Sequence, residues 1–406
     1  MNIVHISPSD ILDGAAIAAY RLHQGLLNQA INSHLLVGRA TISDERIASI
    51  PDKYPIATKL NHLISRLGLN YLTILSTFDI PKHNFYQEAD VLNFHDILGG
   101  YFNYLALPQF TTEKPAIMTL HDMWNFTGHC GFSYECERWK TGCGNCPYPN
   151  EYPPIGKDNT HIEWKLKDWV YSRSKLTIVS PSIWLAEQAK QSMLNRFPVH
   201  HIPHGIDTEA YQPLDPGQCR SVLGVPLGKK VLMFGAVVLD YSRKGGDLLL
   251  KALQSLPESL KAETVILIMG RGGEAISKAV GIPTVNLGYV SSDRIKSIAY
   301  SAADLFLFPT RADAFGLVAQ EAAACGTPIV SFKVGGVPDM VRPGITGYLA
   351  EPENTEDLCN GIIHLLEDKK LRESMSQNCR AIALEEYPLE LQAKRYMELY
   401  HKVLQN

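Results

Sequence analysis

The chain has 406 residues, 45% hydrophobic and 20% charged, with a formal net charge of −4. That length predicts two to three domains with ample core, and the mildly acidic balance gives no argument for nucleic-acid binding. No apolar run approaches the ~20 residues of a membrane helix, and MNIVHISPSD lacks the basic start and apolar stretch of a secretory signal. A cytoplasmic protein is therefore expected, with its eight cysteines as thiols or metal ligands.

Residues 2–7 alternate apolar and polar side chains and read as the first strand. Residues 8–13 form a loop, and Gly14-Ala15-Ala16 opens a helix to about residue 30. This is a Rossmann-like start without the G-x-G-x-x-G fingerprint, because Gly14 is its one glycine. Further strands are predicted at 33–37, 89–94 and 115–120, and helical spacing at 59–69 and 100–110. His95 and His121 follow two of these strands directly, where open α/β sheets hold ligands.

The next segment is rich in cysteine: Cys130, Cys136, Cys143 and Cys146 fall in one short loop. The last two have the C-x2-C spacing of a zinc knuckle. The first two are spaced more loosely, and His129 is a spare ligand. Structural zinc, free thiols and a disulfide pair all stand as readings, the last disfavoured by a reducing compartment. Four thiolates would leave a metal no open position, so a catalytic metal is not expected. Helices follow at 161–173 and 182–193, the second capped by Ser182, with strands at 176–180 and 199–202. Pro203-His204-Gly205-Ile206-Asp207 then reads as a domain boundary.

The second half restarts the pattern. A strand at 230–234 leads through Gly235-Ala236 to Arg243-Lys244-Gly245 and a helix from residue 247. A basic pair beside a glycine suits a diphosphate. Strands at 264–269 and 285–287 flank a glycine-rich loop, 270–273, and 293–302 is helical. Residues 304–331 form a βαβ unit: strand 304–308, loop 311–313, helix 317–324 stopped by Gly326, and a strand from 329. The helix mouth at Phe315-Gly316-Leu317 presents unpaired N–H groups and a partial positive charge, which suit phosphate. Two carboxylates bracket it, Asp313 and Glu321. Gly335-Gly336 precede another helix and admit phosphate in the same way. Amphipathic helices are expected at 356–366 and 389–404.

The run Asp313-Ala314-Phe315-Gly316-(x4)-Glu321-Ala322-(x2)-Cys325-Gly326-Thr327-Pro328 resembles the Glu-x7-Glu signature of family 4 retaining glycosyltransferases. Aspartate stands in the place of the first acid. PHGID resembles that family's interdomain linker, RKGGDLLL its lysine-bearing phosphate segment, GGVPD its G-G-x-P-E, and TLHDMW the segment whose histidine approaches the sugar. The loop GHCGFSYECERWKTGCGNCP resembles exopolysaccharide enzymes, the colanic-acid type included.

The resemblance implies the α/β GT-B fold: two Rossmann-like domains facing across a cleft, with a C-terminal helix crossing back to the first. It divides the chain into an acceptor-side domain, 1–205, bearing the cysteine-rich loop 129–147; a nucleotide-sugar domain, 206–385; and a returning helix, 386–406. The implied reaction moves a sugar from a nucleotide-diphospho-sugar to a hydroxyl of a glycan or lipid-linked glycan, with retention. Gly14, Arg243, Lys244, Phe315, Gly316, Leu317, Glu321, Gly335 and Gly336 would bind the donor. His121, Asp313 and Lys244 would act at the reacting sugar. No cofactor is implied for catalysis, and zinc would be structural. Peripheral contact with the inner membrane face is compatible with this role. The departures at Ala236, Asp313 and Asp339 fit a non-catalytic sugar-nucleotide-binding subunit as the alternative, and a sugar-nucleotide epimerase shares the fold.

Overall fold

The structure is a computed structural model that describes residues 1–51, 54–239 and 241–405. It divides into two compact units, Met1–Gly205 with Leu389–Asn406, and Ile206–Pro388.

Among the described residues, the first unit carries a seven-stranded sheet. Its strands are β1 (Asn2–Ser9), β2 (Asn32–Arg39), β3 (Ile47–Ser49), β4 (Val91–His95), β5 (Ala116–Thr119), β6 (Thr177–Ser180) and β7 (Val199–His201). Their spatial order is β3-β2-β1-β4-β5-β6-β7, with every pair parallel. The chain winds outward from β1 in both directions, so the order reverses between β1 and β4. The helix Gly14–Asn28 begins at Asp13, whose side chain accepts from the Ala16 N–H at 2.9 Å, an N-cap that satisfies an otherwise orphaned donor. Its buried Leu22 and Leu26 pack against the sheet together with Ile3, Val91, Ile117 and Val179.

The helix Leu389–Leu404 completes this core through Ala393, Tyr396 and Tyr400. Its fit is close: a Cβ on Gly25 would lie 2.9 Å from the Leu389 carbonyl oxygen. The Tyr400 hydroxyl accepts from Asn93 Nδ2 at 3.1 Å, and the Tyr396 hydroxyl bonds Thr119 Oγ1 at 3.0 Å. Both bonds satisfy polar groups inside the sheet.

The second unit's sheet is built from β8 (Lys230–Val238), β9 (Thr264–Arg271), β10 (Thr284–Asn286), β11 (Leu305–Phe308), β12 (Ile329–Phe332) and β13 (Gly347–Ala350). The order β10-β9-β8-β11-β12-β13 repeats the first sheet's winding, with its reversal between β8 and β11. Leu232, Ile266 and Leu307 pack on one face and Met233, Leu267 and Phe306 on the other. A parallel sheet covered on both sides needs such apolar runs. Both sheets are therefore Rossmann-like, the arrangement that the GT-B fold requires of each of its domains.

Among the helices that the sequence patterns did not anticipate, two show why. Gly273–Ala279 starts inside the glycine run taken as a loop, and Lys369–Glu386 buries only Met375, Cys379 and Ala383. So thin a stripe leaves little periodic signal. Among the described residues, no helix is long and apolar enough to cross a membrane.

Candidate functional site

Open α/β sheets bind ligands beyond the strand ends where the strand order reverses. In the second unit that place lies beyond β8 and β11. After β8 the chain makes a 3-10 turn, Ser242–Lys244, and passes Gly245 in the left-handed region at φ 70°. A Cβ on Gly245 would lie 1.8 Å from the Pro309 carbonyl oxygen, so this position requires glycine both for its backbone angle and for its space. The turn is thereby pressed onto the end of β11, and its two cations meet the loop that follows. Lys244 Nζ donates to Asp313 Oδ2 at 3.0 Å. Arg243 Nη1 donates to the Ala312 carbonyl at 2.8 Å and stands 3.5 Å from Asp313 Oδ2.

The three charges set one another's state. Burial pushes the Asp313 carboxyl up, but Lys244 and then Arg243 outweigh it and hold it below the ordinary carboxylate range. Burial and the Arg243 charge pull the Lys244 ammonium below its usual range, against the Asp313 carboxylate. Two cations thus face one carboxylate.

Asp313 is itself held. The Phe315 N–H donates to its Oδ1 at 3.3 Å, and the Gly336 N–H to its carbonyl at 3.0 Å. A Cβ on Gly335, at φ 51°, would lie 2.3 Å from that carbonyl oxygen. The glycine pair expected to cradle phosphate thus grips the Asp313 backbone, and the helix behind it, Val337–Met340, is a single turn.

Gly316 is the left-handed N-cap of the helix Leu317–Ala324, with no side-chain cap. Its first N–H groups are therefore available to an anion. Phe315 is buried edge-on against Tyr387, their ring centroids 6.0 Å apart. Glu321 is buried on this helix and accepts from the Tyr300 hydroxyl at 3.0 Å. That tyrosine carries no motif, and the sequence offered no sign of it.

In the first unit the order reverses between β1 and β4, and histidines run through this region from within β1 to the end of β4 and just past β5. His5 Nδ1 lies 3.0 Å from His95 Nε2, and His95 Nδ1 lies 3.1 Å from His121 Nε2. The His121 ring stacks on His204, with centroids 5.1 Å apart and planes 13° from parallel. Burial drives all three linked imidazoles towards neutrality: His5 and His95 titrate well below the usual range and His121 at about 3. Asp96 follows β4 in the left-handed region, at φ 44°. Burial first, then Asp122 and Asp13, push its carboxyl well above the ordinary range and favour its protonated form. Gly14 is the first residue of the helix that Asp13 caps.

The cysteine loop lies elsewhere in this unit. Cys130, Cys136, Cys143 and Cys146 border one small cavity with His129. His129 Nε2 stands 3.2 Å from Cys146 Sγ, and the Gly128 N–H donates to Cys143 Sγ at 3.2 Å. Burial raises the Cys143 thiol to about 11 and the Cys130 thiol further. As the side chains stand, no group of three or more His, Cys, Asp or Glu among the described residues is arranged to hold a metal ion.

The family description "Glycosyltransferase Family 4" matches residues 12–210, and "Glycosyl transferases group 1" matches residues 220–382. The chain is 28% identical over 351 residues to the putative colanic acid biosynthesis glycosyl transferase WcaC of Escherichia coli (strain K12), covering 82% of this chain and 83% of that one. Among solved structures, the sucrose-phosphate synthase of Thermosynechococcus elongatus superposes with a TM-score of 0.74 at 17% identity, covering 100% of both chains. Anabaena Alr3699/HepE in complex with UDP-glucose superposes with a TM-score of 0.68 at 16% identity, covering 99% of this chain and 100% of that one.

Proposed function

The chain belongs to the group 1, family 4 glycosyltransferases, and from that premise we propose that it takes its sugar from a nucleotide-diphospho-sugar and delivers it, with retention, to a hydroxyl of a growing cell-surface glycan. The reading rests above all on one observation: Lys244 and Arg243 converge on Asp313 beside the Gly316 helix mouth, with Glu321 buried in the same βαβ unit.

A departing nucleoside diphosphate gains negative charge as the sugar bond breaks. Fixed cations and oriented N–H groups stabilise that charge more than the ground state, which is how they speed the reaction. Lys244, Arg243 and the N–H groups after Gly316 take this role. Glu321, steadied by Tyr300, accepts from the ribose hydroxyls. Asp313 holds the two cations in place before the donor arrives. Once the diphosphate engages them, its carboxylate is released to the sugar hydroxyls. Gly335 and Gly336 fix the Asp313 backbone for this exchange. His121, beyond β5, takes the role of a hydrogen-bonding partner to the sugar. The exopolysaccharide role is favoured by the likeness to WcaC, which runs through most of both chains.

Calorimetric titration with UDP, GDP, ADP and dTDP, each free and as a common sugar conjugate, tests the donor class. One base should bind tightly, and Glu321→Ala should lose that binding. Equal binding by wild type and variant removes Glu321 from the site. No binding by any of the nucleotides removes the donor class.

A further inference from the structure

Three imidazoles hydrogen-bonded in series cannot choose their proton positions independently. A neutral imidazole has one N–H donor and one bare acceptor nitrogen. His5 Nδ1 faces His95 Nε2, and His95 Nδ1 faces His121 Nε2. If His5 donates, His95 must donate onward, and His121 receives at Nε2 and carries its own proton on Nδ1. If the direction reverses, His121 is protonated on Nε2 and His5 carries an N–H on its own Nε2. A cationic His95 donating both ways is the third arrangement. It would put an uncompensated charge in a fully buried site whose electrostatic neighbours are His5, His121 and His204, all histidines.

The inner end of the series distinguishes the first two. His5 Nε2 is buried and has no hydrogen-bond partner among the described residues. Reversed, the series would leave an N–H there with nothing to receive it, and orphaned buried N–H groups are rare in folded proteins. Run outward, it leaves only a bare lone pair. The remaining contacts fix the rings in place. The Tyr101 hydroxyl donates to the His95 carbonyl at 3.2 Å, and His204 covers one face of His121.

We propose that His5 and His95 are positioning residues that lock His121 in its Nδ1–H tautomer, so that the end of β5 presents a hydrogen-bond donor and not a proton acceptor. The partner it suits is an oxygen lone pair. On the reading above, on which only this assignment of ligand rests, that oxygen belongs to a hydroxyl of the donor sugar. His121 is thereby unsuited to take a proton from the acceptor. Its one bare nitrogen, Nε2, already accepts from His95, and freeing Nδ1 would require the whole series to reverse, which would place an N–H on His5 Nε2 with nothing to receive it.

The test is nuclear magnetic resonance of the full-length protein labelled with 15N-histidine and free of any sugar nucleotide. Two-bond proton–nitrogen correlations report which nitrogen of each ring carries the proton, and His5→Gln, His95→Gln and His121→Gln assign the signals. The expected result is Nδ1–H at all three positions in the wild type. His95→Phe, which can neither donate nor accept, should release His121 to a mixture of both tautomers. His121 found on Nε2–H, or His95 doubly protonated at neutral pH, overturns the proposal. So does a His121 tautomer unmoved in a folded His95→Phe protein. If that variant does not fold, the wild-type spectrum alone decides. No donor is used, so failure here is distinct from failure of the transferase reading.

Discussion

At the strand-order reversal of the second sheet stand two cations and a carboxylate. At the reversal of the first stand three imidazoles in series. The places are topologically equivalent, and each gathers polar side chains inside the protein. The second unit keeps its charges and balances them, Lys244 and Arg243 against Asp313. The first unit removes charge, holding His5, His95 and His121 neutral by burial. The contrast suits the chemistry proposed for each. A diphosphate demands fixed positive charge, whereas sugar hydroxyls demand direction without charge, which tautomeric imidazoles supply.

Acid should separate the two units more strongly than any single substitution. The linked histidines have folded pKa values below the unfolded 6.5, so between those values the unfolded chain binds more protons than the fold. Their contribution is fully present above pH 6.5 and is lost as pH falls towards about 3, where His121 titrates. Of the 14 histidines, only His364 lies in the second unit. There the depressed Asp313 contributes above the unfolded carboxyl value of 3.8 and is lost only below it. Asp13, Asp96 and Glu163, whose folded pKa values are raised, bind protons in the fold first and offset part of this loss, but the lowered histidines of the first unit outnumber them. Hydrogen exchange between pH 7 and 4.5 should therefore show the first unit opening while the second keeps its protection. Parallel loss in both units would break the comparison.

The first unit does contain buried cations, and removing one of them, Lys167, should cost nearly as much. Lys167 Nζ donates to the Trp124 and Thr127 carbonyls at 2.6 and 3.0 Å and lies 3.4 Å from the centre of the Trp124 ring. Burial lowers its pKa to about 8 and raises that of its neighbour Glu163 to about 7, each opposed by the other's charge. Lys167→Ala leaves two buried carbonyls and an acid without this partner. A loss of about 3–5 kcal/mol is expected, read by urea denaturation, with hydrogen exchange placing the loss in the first unit.

Glu321→Ala tests the second unit without touching its charge triad. Nucleoside diphosphate binding should weaken by about 1.5–3 kcal/mol, the range for hydrogen bonds to charged groups, or roughly 10- to 150-fold. Exchange protection of the first unit should not change. Calorimetry on the nucleotide that binds best gives the number.

How far these places could be read from sequence differs for a physical reason. The donor unit is local: strand, loop, Gly316, helix and stop lie within 28 consecutive residues, and the helix runs over Leu317–Ala324 as its punctuation predicts. Arg243 and Lys244 were visible as a basic pair before a helix. His95 and His121 were visible as strand-end residues, but their linkage was not. It depends on β4 lying between β1 and β5, a pairing that no spacing along the chain encodes. His5 lay hidden for the same reason, as an ordinary residue within β1, and Tyr300 as an ordinary helical position. Asp313 was legible as a carboxylate beside a phosphate site. Its grip on both cations was not, because the approach depends on Gly245 bringing one loop against another.

The smallest expected effect bears most directly on that grip. Asp313→Asn keeps the side chain's shape and removes its charge. If Asp313 only oriented the sugar, free nucleoside diphosphate should bind the variant as it binds wild type. If it holds Lys244 and Arg243 until the diphosphate arrives, it competes with the ligand for both cations, and its neutralisation should tighten diphosphate binding by up to about 1 kcal/mol, the scale of a partly solvated ion pair. Sugar transfer should fall in the same protein, because the amide cannot replace the carboxylate at the sugar hydroxyls. Tighter product binding with slower transfer is the pattern that distinguishes a carboxylate serving both partners in turn. Weakened diphosphate binding would mean that the cations need Asp313 to stay in place, and the exchange would have to be abandoned.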